Sequence, residues 1–88
     1  MLDKLERLQS EVVISISQAS TEKEISEIRV KYLGKKGSIT QVLKSLGTLP
    51  ESERREVGQR ANQLKESTEA KIEETLLQIQ ERERREAL

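Results

Sequence analysis

Tyr32-Leu33-Gly34-Lys35-Lys36-Gly37-Ser38 is the one place where a helical pattern stops, turns on two glycines and restarts. Upstream of it, Leu2, Leu5, Leu8, Val12, Ile16 and Ala19 step by three or four residues and draw one apolar stripe on a helix, broadened by Val13 and Ile14. Ser20 and Thr21 interrupt the stripe. Thr21 with Glu24 reads as a capping box, opening a new helix or a kinked continuation. Its apolar positions are Ile25, Ile28 and Tyr32, with Leu33 beside them. Gly34 is expected to take the left-handed backbone that closes a helix. Downstream, Ser38 with Gln41 is a second capping-box candidate. Ile39, Val42, Leu43 and Leu46 give about two turns of amphipathic helix, which Gly47 is expected to end. Thr48-Leu49 connects, and Pro50 suits the first turn of the next helix, followed by the acidic Glu51 and Glu53.

From Pro50 to about Arg85 nothing stops a helix. Its stripe is Val57, Ala61, Leu64, Thr68, Ile72, Leu76 or Thr75, and Ile79. At 1.5 Å per residue it is roughly 50 Å long. The segments from Leu2 to Leu33 add up to nearly the same length. The pattern predicts an all-α fold: a long antiparallel helical hairpin, a coiled-coil arm with a short helix at the tip. The helices run over about 2–19, 21–33, 38–46 and 50–86, with Met1 and Leu88 together at the far end. Gly58 costs about 1 kcal/mol relative to Ala inside a helix. With Ala61 it predicts close approach by the first limb near Ile25 to Arg29. Residues 1–88 make one small domain or a piece of a longer chain. Glu81 to Leu88 lose the stripe without a stop signal, so the helix is expected to run on in a longer polypeptide.

Composition narrows the function. Ala, Glu, Lys, Leu and Arg supply 46 of the 88 residues, the balance of long helices. Phe and Trp are absent and Tyr32 is the only aromatic, so the chain fills a narrow seam between helices rather than a globular core. Without Cys or His there are no disulfides, thiolate nucleophiles, imidazole acid–base chemistry or usual zinc sites. No apolar run is long enough to span a membrane, and the N-terminus lacks the pattern of a signal peptide, so a cytoplasmic location is expected. The carboxylates lie on helical faces without a pocket: no catalytic pair and no metal site is read here.

The charge is one-sided. Ile28 to Pro50 contains no Asp or Glu but holds Arg29, Lys31, Lys35, Lys36 and Lys44; since the whole chain has 16 bases and 16 acids, a tip of +5 sits on a body of −5. Glu27–Lys31, Glu51–Arg55, Glu56–Arg60 and Glu81–Arg85 are i, i+4 pairs that support helices. Lys35, Lys36 and Lys44 have no acid within four positions, and Arg29 has only Glu27. Lys35, Lys36, Arg29, Lys44 and Lys31 are therefore the candidate polyanion-binding set. In Gly34-Lys35-Lys36-Gly37, glycines admit a phosphate to the backbone, lysines supply charge, and the helix starting at Ser38 aims amides the same way. A plain wet turn fits the same residues. The Gly-x-x-Gly spelling of KH domains needs a sheet, which is absent, and the Walker A order is not present. Tyr32 reads as packing rather than as a stacking platform. Gly34, Gly37 and Gly58 join it as structural residues of the tip. Arg60, Lys71 and Arg82 repeat every eleven residues, as charges flanking the seam or as a stripe tracking an RNA backbone.

These residues resemble a known family. Arg29, Tyr32-Leu33-Gly34-Lys35-Lys36-Gly37, Leu49-Pro50, Arg54, Gly58, Asn62 and Lys65 are similar in order and spacing to the N-terminal domain of the alpha subunit of bacterial-type phenylalanine–tRNA ligase. The likeness in helix lengths covers essentially the whole chain. The resemblance implies a coiled-coil arm that projects from a class II synthetase and contacts the outer side of tRNA(Phe). It implies a parent (αβ)₂ heterotetramer, with a beta subunit, that uses ATP and Mg²⁺ in a catalytic domain downstream. It implies no cofactor and no active site in these residues, and it puts Lys35 and Lys36 first among RNA contacts. The competing expectation is a coiled-coil protein–protein or oligomerisation module, with the isolated domain a monomer or weak dimer.

Overall fold

The computed structural model describes residues 2–86. They form α1 (Leu2–Gln18), α2 (Glu22–Leu33), α3 (Ser38–Ser45) and α4 (Glu51–Glu86), with a 3₁₀ turn, Leu46–Thr48, between α3 and α4. The molecule measures 56 × 18 × 16 Å. At 1.5 Å per residue α4 alone accounts for about 54 Å, so every other element lies along its flank.

α2 runs antiparallel to α4. Ile25, Ser26 and Arg29 share a groove with Leu76 and Gln80 in the second half of α4. The chain then returns toward the start of α4, where Leu46 stands 3.4 Å from where a Cβ on Gly58 would be. The result is an all-α, elongated arm with α3 and the 3₁₀ turn as its tip, over the first turns of α4.

The first limb of that arm is α2 alone, which corrects the expectation that residues 2–33 extend as one length. Leu2 shares a groove with Leu49 and Val57, Leu5 with Leu64, and Ile16 with Thr75 and Ile79. α1 is therefore parallel to α4 and antiparallel to α2, and the chain reverses over residues 19–21. The reason lies in stripe phase. At about 100° per residue, the centre of Leu5, Leu8, Val12, Ile16 and Ala19 falls about 190° from the centre of Ile25, Ile28 and Tyr32. One straight helix would lay α2 on α4 and turn the α1 stripe to water. Reversal lets both stripes close on the same α4. Leu2 accordingly lies at the tip end; Met1 and Leu88, expected together, fall outside the described residues.

One apolar cluster runs the length of the arm, from Leu5, Leu8, Val12 and Ile16 through Ile25, Ile28, Tyr32, Ile39 and Val42 to Val57, Ala61, Leu64, Ile72 and Ile79. Thr68 is the one buried polar residue in the described seam, 1% exposed, and its Oγ1 has no hydrogen-bond partner.

Several local expectations change. Thr21 does cap α2, accepting from the Glu24 amide at 3.2 Å. Gly34, however, closes α2 with φ −66° and ψ 175° rather than in the left-handed region. Glycine is needed there for room: a Cβ would stand 2.6 Å from the Val30 carbonyl oxygen. Gly37, not Ser38, is the N-cap of α3, and no side chain caps it. α3 ends at Ser45, and Gly47 lies inside the 3₁₀ turn. Gly58 faces Leu46 of the tip, not Ile25 to Arg29, because those α2 residues lie farther along α4 beside Leu76. Of the four i, i+4 pairs, only Glu81–Arg85 closes among the described residues, at 3.4 Å. Exposed partners gain too little to hold long side chains in one geometry.

Candidate nucleic-acid interface

The basic residues sit where α2 hands over to α3. Gly34 donates its N–H to Val30 O at 3.1 Å and accepts from the Gly37 N–H at 2.9 Å, which folds 34–37 into a tight turn. Gly37 is buried against the backbone of Tyr32, where a Cβ would stand 2.5 Å from the Tyr32 carbonyl carbon. With both glycines turned inward, Lys35 and Lys36 are left exposed at the apex.

Lys44, two turns into α3, reaches back and donates from Nζ to the Lys35 carbonyl at 3.2 Å. It belongs to the same patch and also ties α3 to the turn. Lys31 is exposed with Nζ 5.3 Å from the centre of the Tyr32 ring, a cation–π distance. The ring itself is 1% exposed and its hydroxyl lies 3.4 Å from Ser15 Oγ of α1. Tyr32 packs and has no free face for a base. Arg29 is exposed but lines the α2–α4 groove with Glu22 and Gln80, apart from the other four.

Arg54, a motif residue with no role assigned by the sequence, acts as a clamp. Its Nε donates to Leu46 O at 3.1 Å and its Nη2 to Leu49 O at 3.0 Å. The guanidinium thereby bonds the carbonyls at the start of the 3₁₀ turn and just after it, and pins the tip to the first turn of α4. The available signal was an arginine four positions after Pro50, in reach of a connector whose carbonyls have no helix to continue.

The remaining basic stripe has a different setting. Arg60 borders α1 beside Leu5 and Glu6, and Lys71 and Arg82 border it beside Val13 and Ser17. They edge the α1–α4 seam, on the side of α4 away from α2. The tip has an acidic side too, where Asp3 meets Glu53 and Glu56. The tip is thus positively charged at the 34–37 turn and negatively charged at its α1 end.

Among the described residues, no group of three or more acidic side chains is placed to hold a metal ion. Among them, too, no helix is long and apolar enough to cross a membrane.

Comparison with known proteins finds a family and relatives for this chain. Residues 20–88, from the reversal through α4, match the family described as aminoacyl-tRNA synthetase class II, N-terminal domain. The phenylalanine–tRNA ligase alpha subunit of Geotalea uraniireducens is 51% identical over 81 residues, covering 92% of this chain and 24% of that protein. The alpha subunit of Geobacter metallireducens is 43% identical over all 88 residues, 26% of its length. That of Desulforamulus reducens is 40% identical over the same span, again 26% of its length. The chain thus spans about a quarter of the length of the curated relatives it matches. No solved structure matches. With its helical arm, its glycine-bounded lysine turn and these relatives, the chain belongs to the family of class II aminoacyl-tRNA synthetase N-terminal domains.

Proposed function

We propose that this domain is the tRNA-holding arm of a phenylalanine–tRNA ligase alpha subunit. It grips tRNA(Phe) by phosphate and shape contacts while a catalytic domain farther along the polypeptide carries out aminoacylation. The observation that carries this reading is the 34–37 turn: two glycines buried or half-buried against α2, Lys35 and Lys36 exposed, and Lys44 bonded to the turn's own backbone. Lys31 and Arg29 extend the positive field along α2. Between Ile28 and Pro50 no carboxylate competes for them.

Exposed lysines beside a backbone turn suit phosphate oxygens and carry little base information, so the arm positions its RNA rather than reading it. Neutralising about four phosphates makes affinity fall roughly a thousandfold per tenfold rise in salt. In this reading the arm has no catalytic residue of its own. ATP and Mg²⁺ belong to the catalytic part of the enzyme, the beta subunit completes an (αβ)₂ assembly, and the assembly works in the cytoplasm.

The test is made in the complete ligase with Lys35→Glu and Lys36→Glu together. Aminoacylation is expected to fall about tenfold or more through the KM for tRNA, since each contact to a charged group contributes about 1.5 kcal/mol or more. Adenylate formation without tRNA stays at the wild-type rate. Equal losses in both reactions would assign the turn to folding or assembly, and unchanged aminoacylation would remove it from the RNA footprint.

A further inference from the structure

We infer that α1 is an exchangeable element: two copies of this chain dimerise by swapping α1, each docking it on the other's α4. Closed, the chain reverses over residues 19–21, and no helix-breaking residue obliges it to. No Gly or Pro lies between Leu2 and Leu33, so α1, the connector and α2 can join into a single helix of about 48 Å. Packing and the Thr21 cap keep the reversal.

Straightening has a definite geometric consequence. α1 is parallel to α4, and α2 is antiparallel to it. Once α1 continues α2, it runs antiparallel to its own α4. Its stripe also points about 190° away from the α2 stripe, and so away from that α4. Both changes are undone together by one partner, a second copy turned end for end. Its α4 runs the right way for α1 and lies on the opposite side of the straightened helix, clear of the first α4. The operation is a two-fold axis, so both copies recover the seam of Leu5, Leu8, Val12 and Ile16, and the assembly closes at two.

A separate observation points the same way. Ile14 is 55% exposed and Val30 66% exposed in the closed chain, each on the outer face of its helix. On the straightened helix neither is isolated. Ile14 falls in phase with Ile25, Ile28 and Tyr32, and Val30 in phase with Leu5 to Ala19. Each prolongs the stripe of the other segment, as a continuous helix would use it.

Two variants separate the forms. Glu22 is the first residue of α2, and Thr21 before it has φ −129° and ψ 157°. Glu22→Pro therefore suits the closed chain, where proline is welcome at the first helical position after an extended residue, and it blocks a helix running through the connector. Ser20→Ala with Thr21→Ala does the reverse: it deletes the α2 cap and favours continuity.

Sedimentation of residues 1–88 after refolding at high chain concentration is expected to show a slowly dissociating dimer for the wild type. The double alanine variant should dimerise about tenfold more tightly, and Glu22→Pro should remain a folded monomer. In dimers made from equal amounts of isotope-labelled and unlabelled chain, the Leu5–Leu64 contact should appear between chains. The inference is overturned by a double alanine variant that stays monomeric, or by a dimer in which that contact stays within one chain. If Glu22→Pro fails to fold, those two readouts still decide.

Discussion

α1 and α2 are both short amphipathic helices lying on α4, yet they are held differently. α2 is fixed at both ends by local devices. Thr21 caps its start, with Glu24 accepting from the Thr21 and Ser20 hydroxyls at 3.3 and 3.4 Å. Gly34 and Gly37 fold its end against its own last turn. α1 has no basic residue in its last turn, and the Ala19 amide simply reaches back to Ile16 O at 3.2 Å. Its place on α4 rests on the apolar stripe. Local hydrogen-bonding devices fix where a helix starts and stops, while stripe phase fixes which neighbour it meets and in which direction.

The sharpest way to break the comparison is at Tyr32, where the two helices touch. The ring is 1% exposed and its hydroxyl meets Ser15 of α1. Tyr32→Ala is expected to cost about 3–5 kcal/mol, as truncation of large buried aromatics does, and to lower the melting temperature of the whole domain. Leu8→Ala removes an α1 residue held by packing alone and is expected to cost about 2–3 kcal/mol. Its signature in native-state hydrogen exchange is faster exchange in α1 while α2 and α4 stay protected. Equal acceleration in α1 and α2 would mean that they open as one unit and that the distinction between them has no energetic content.

The same division explains what could be read in advance. Thr21 with Glu24, the stop at Gly34 and the start after Pro50 are all signals within a few residues, and each marks a helix limit in the structure. The lone lysines at 35 and 36 were legible because charge pairing along a helix is also local. The direction of α1 was not read, although the residues contain it: the stripes must be compared in angle across the Ser20–Thr21 break, not only in length. Gly37 displaced Ser38 as the cap of α3 because the chain passes against the Tyr32 backbone, a contact between segments. The hold of Arg54 on Leu46 and Leu49 likewise depends on how the tip returns to α4.

Two glycines only ten positions apart sharpen the contrast between tight and open backbone. A Cβ on Gly37 would meet the Tyr32 carbonyl carbon at 2.5 Å and the Leu33 nitrogen at 2.8 Å, whereas one on Gly47 would meet nothing within 4 Å. No glycine among the described residues has a positive φ. Gly37→Ala is therefore expected to destabilise by about 1–3 kcal/mol through overpacking. Gly47→Ala should stabilise by about 0.4–1 kcal/mol by restricting the unfolded chain. Denaturant midpoints read both. Opposite signs make close approach, rather than backbone conformation, the reason for glycine in this tip.

A comparably small effect is expected in the seam both helices share. Thr68 is buried on α4 with Oγ1 unpartnered, and a buried hydroxyl without a partner costs about 1 kcal/mol or more. Valine has nearly the same shape and a similar helix propensity, so Thr68→Val should stabilise by about 1 kcal/mol, a rise of about 4–8 °C in Tm for a domain of this size. Hydrogen exchange then shows where the gain goes. Slower exchange confined to α1 would place Thr68 under the packing-held helix and make it the weak point of that contact. Slower exchange in α1 and α2 alike would make Thr68 a common floor for both. An unchanged Tm would mean that Oγ1 already has a partner in solution, a trapped water. The seam would then contain a polar layer that sets the register of the helices rather than a local defect.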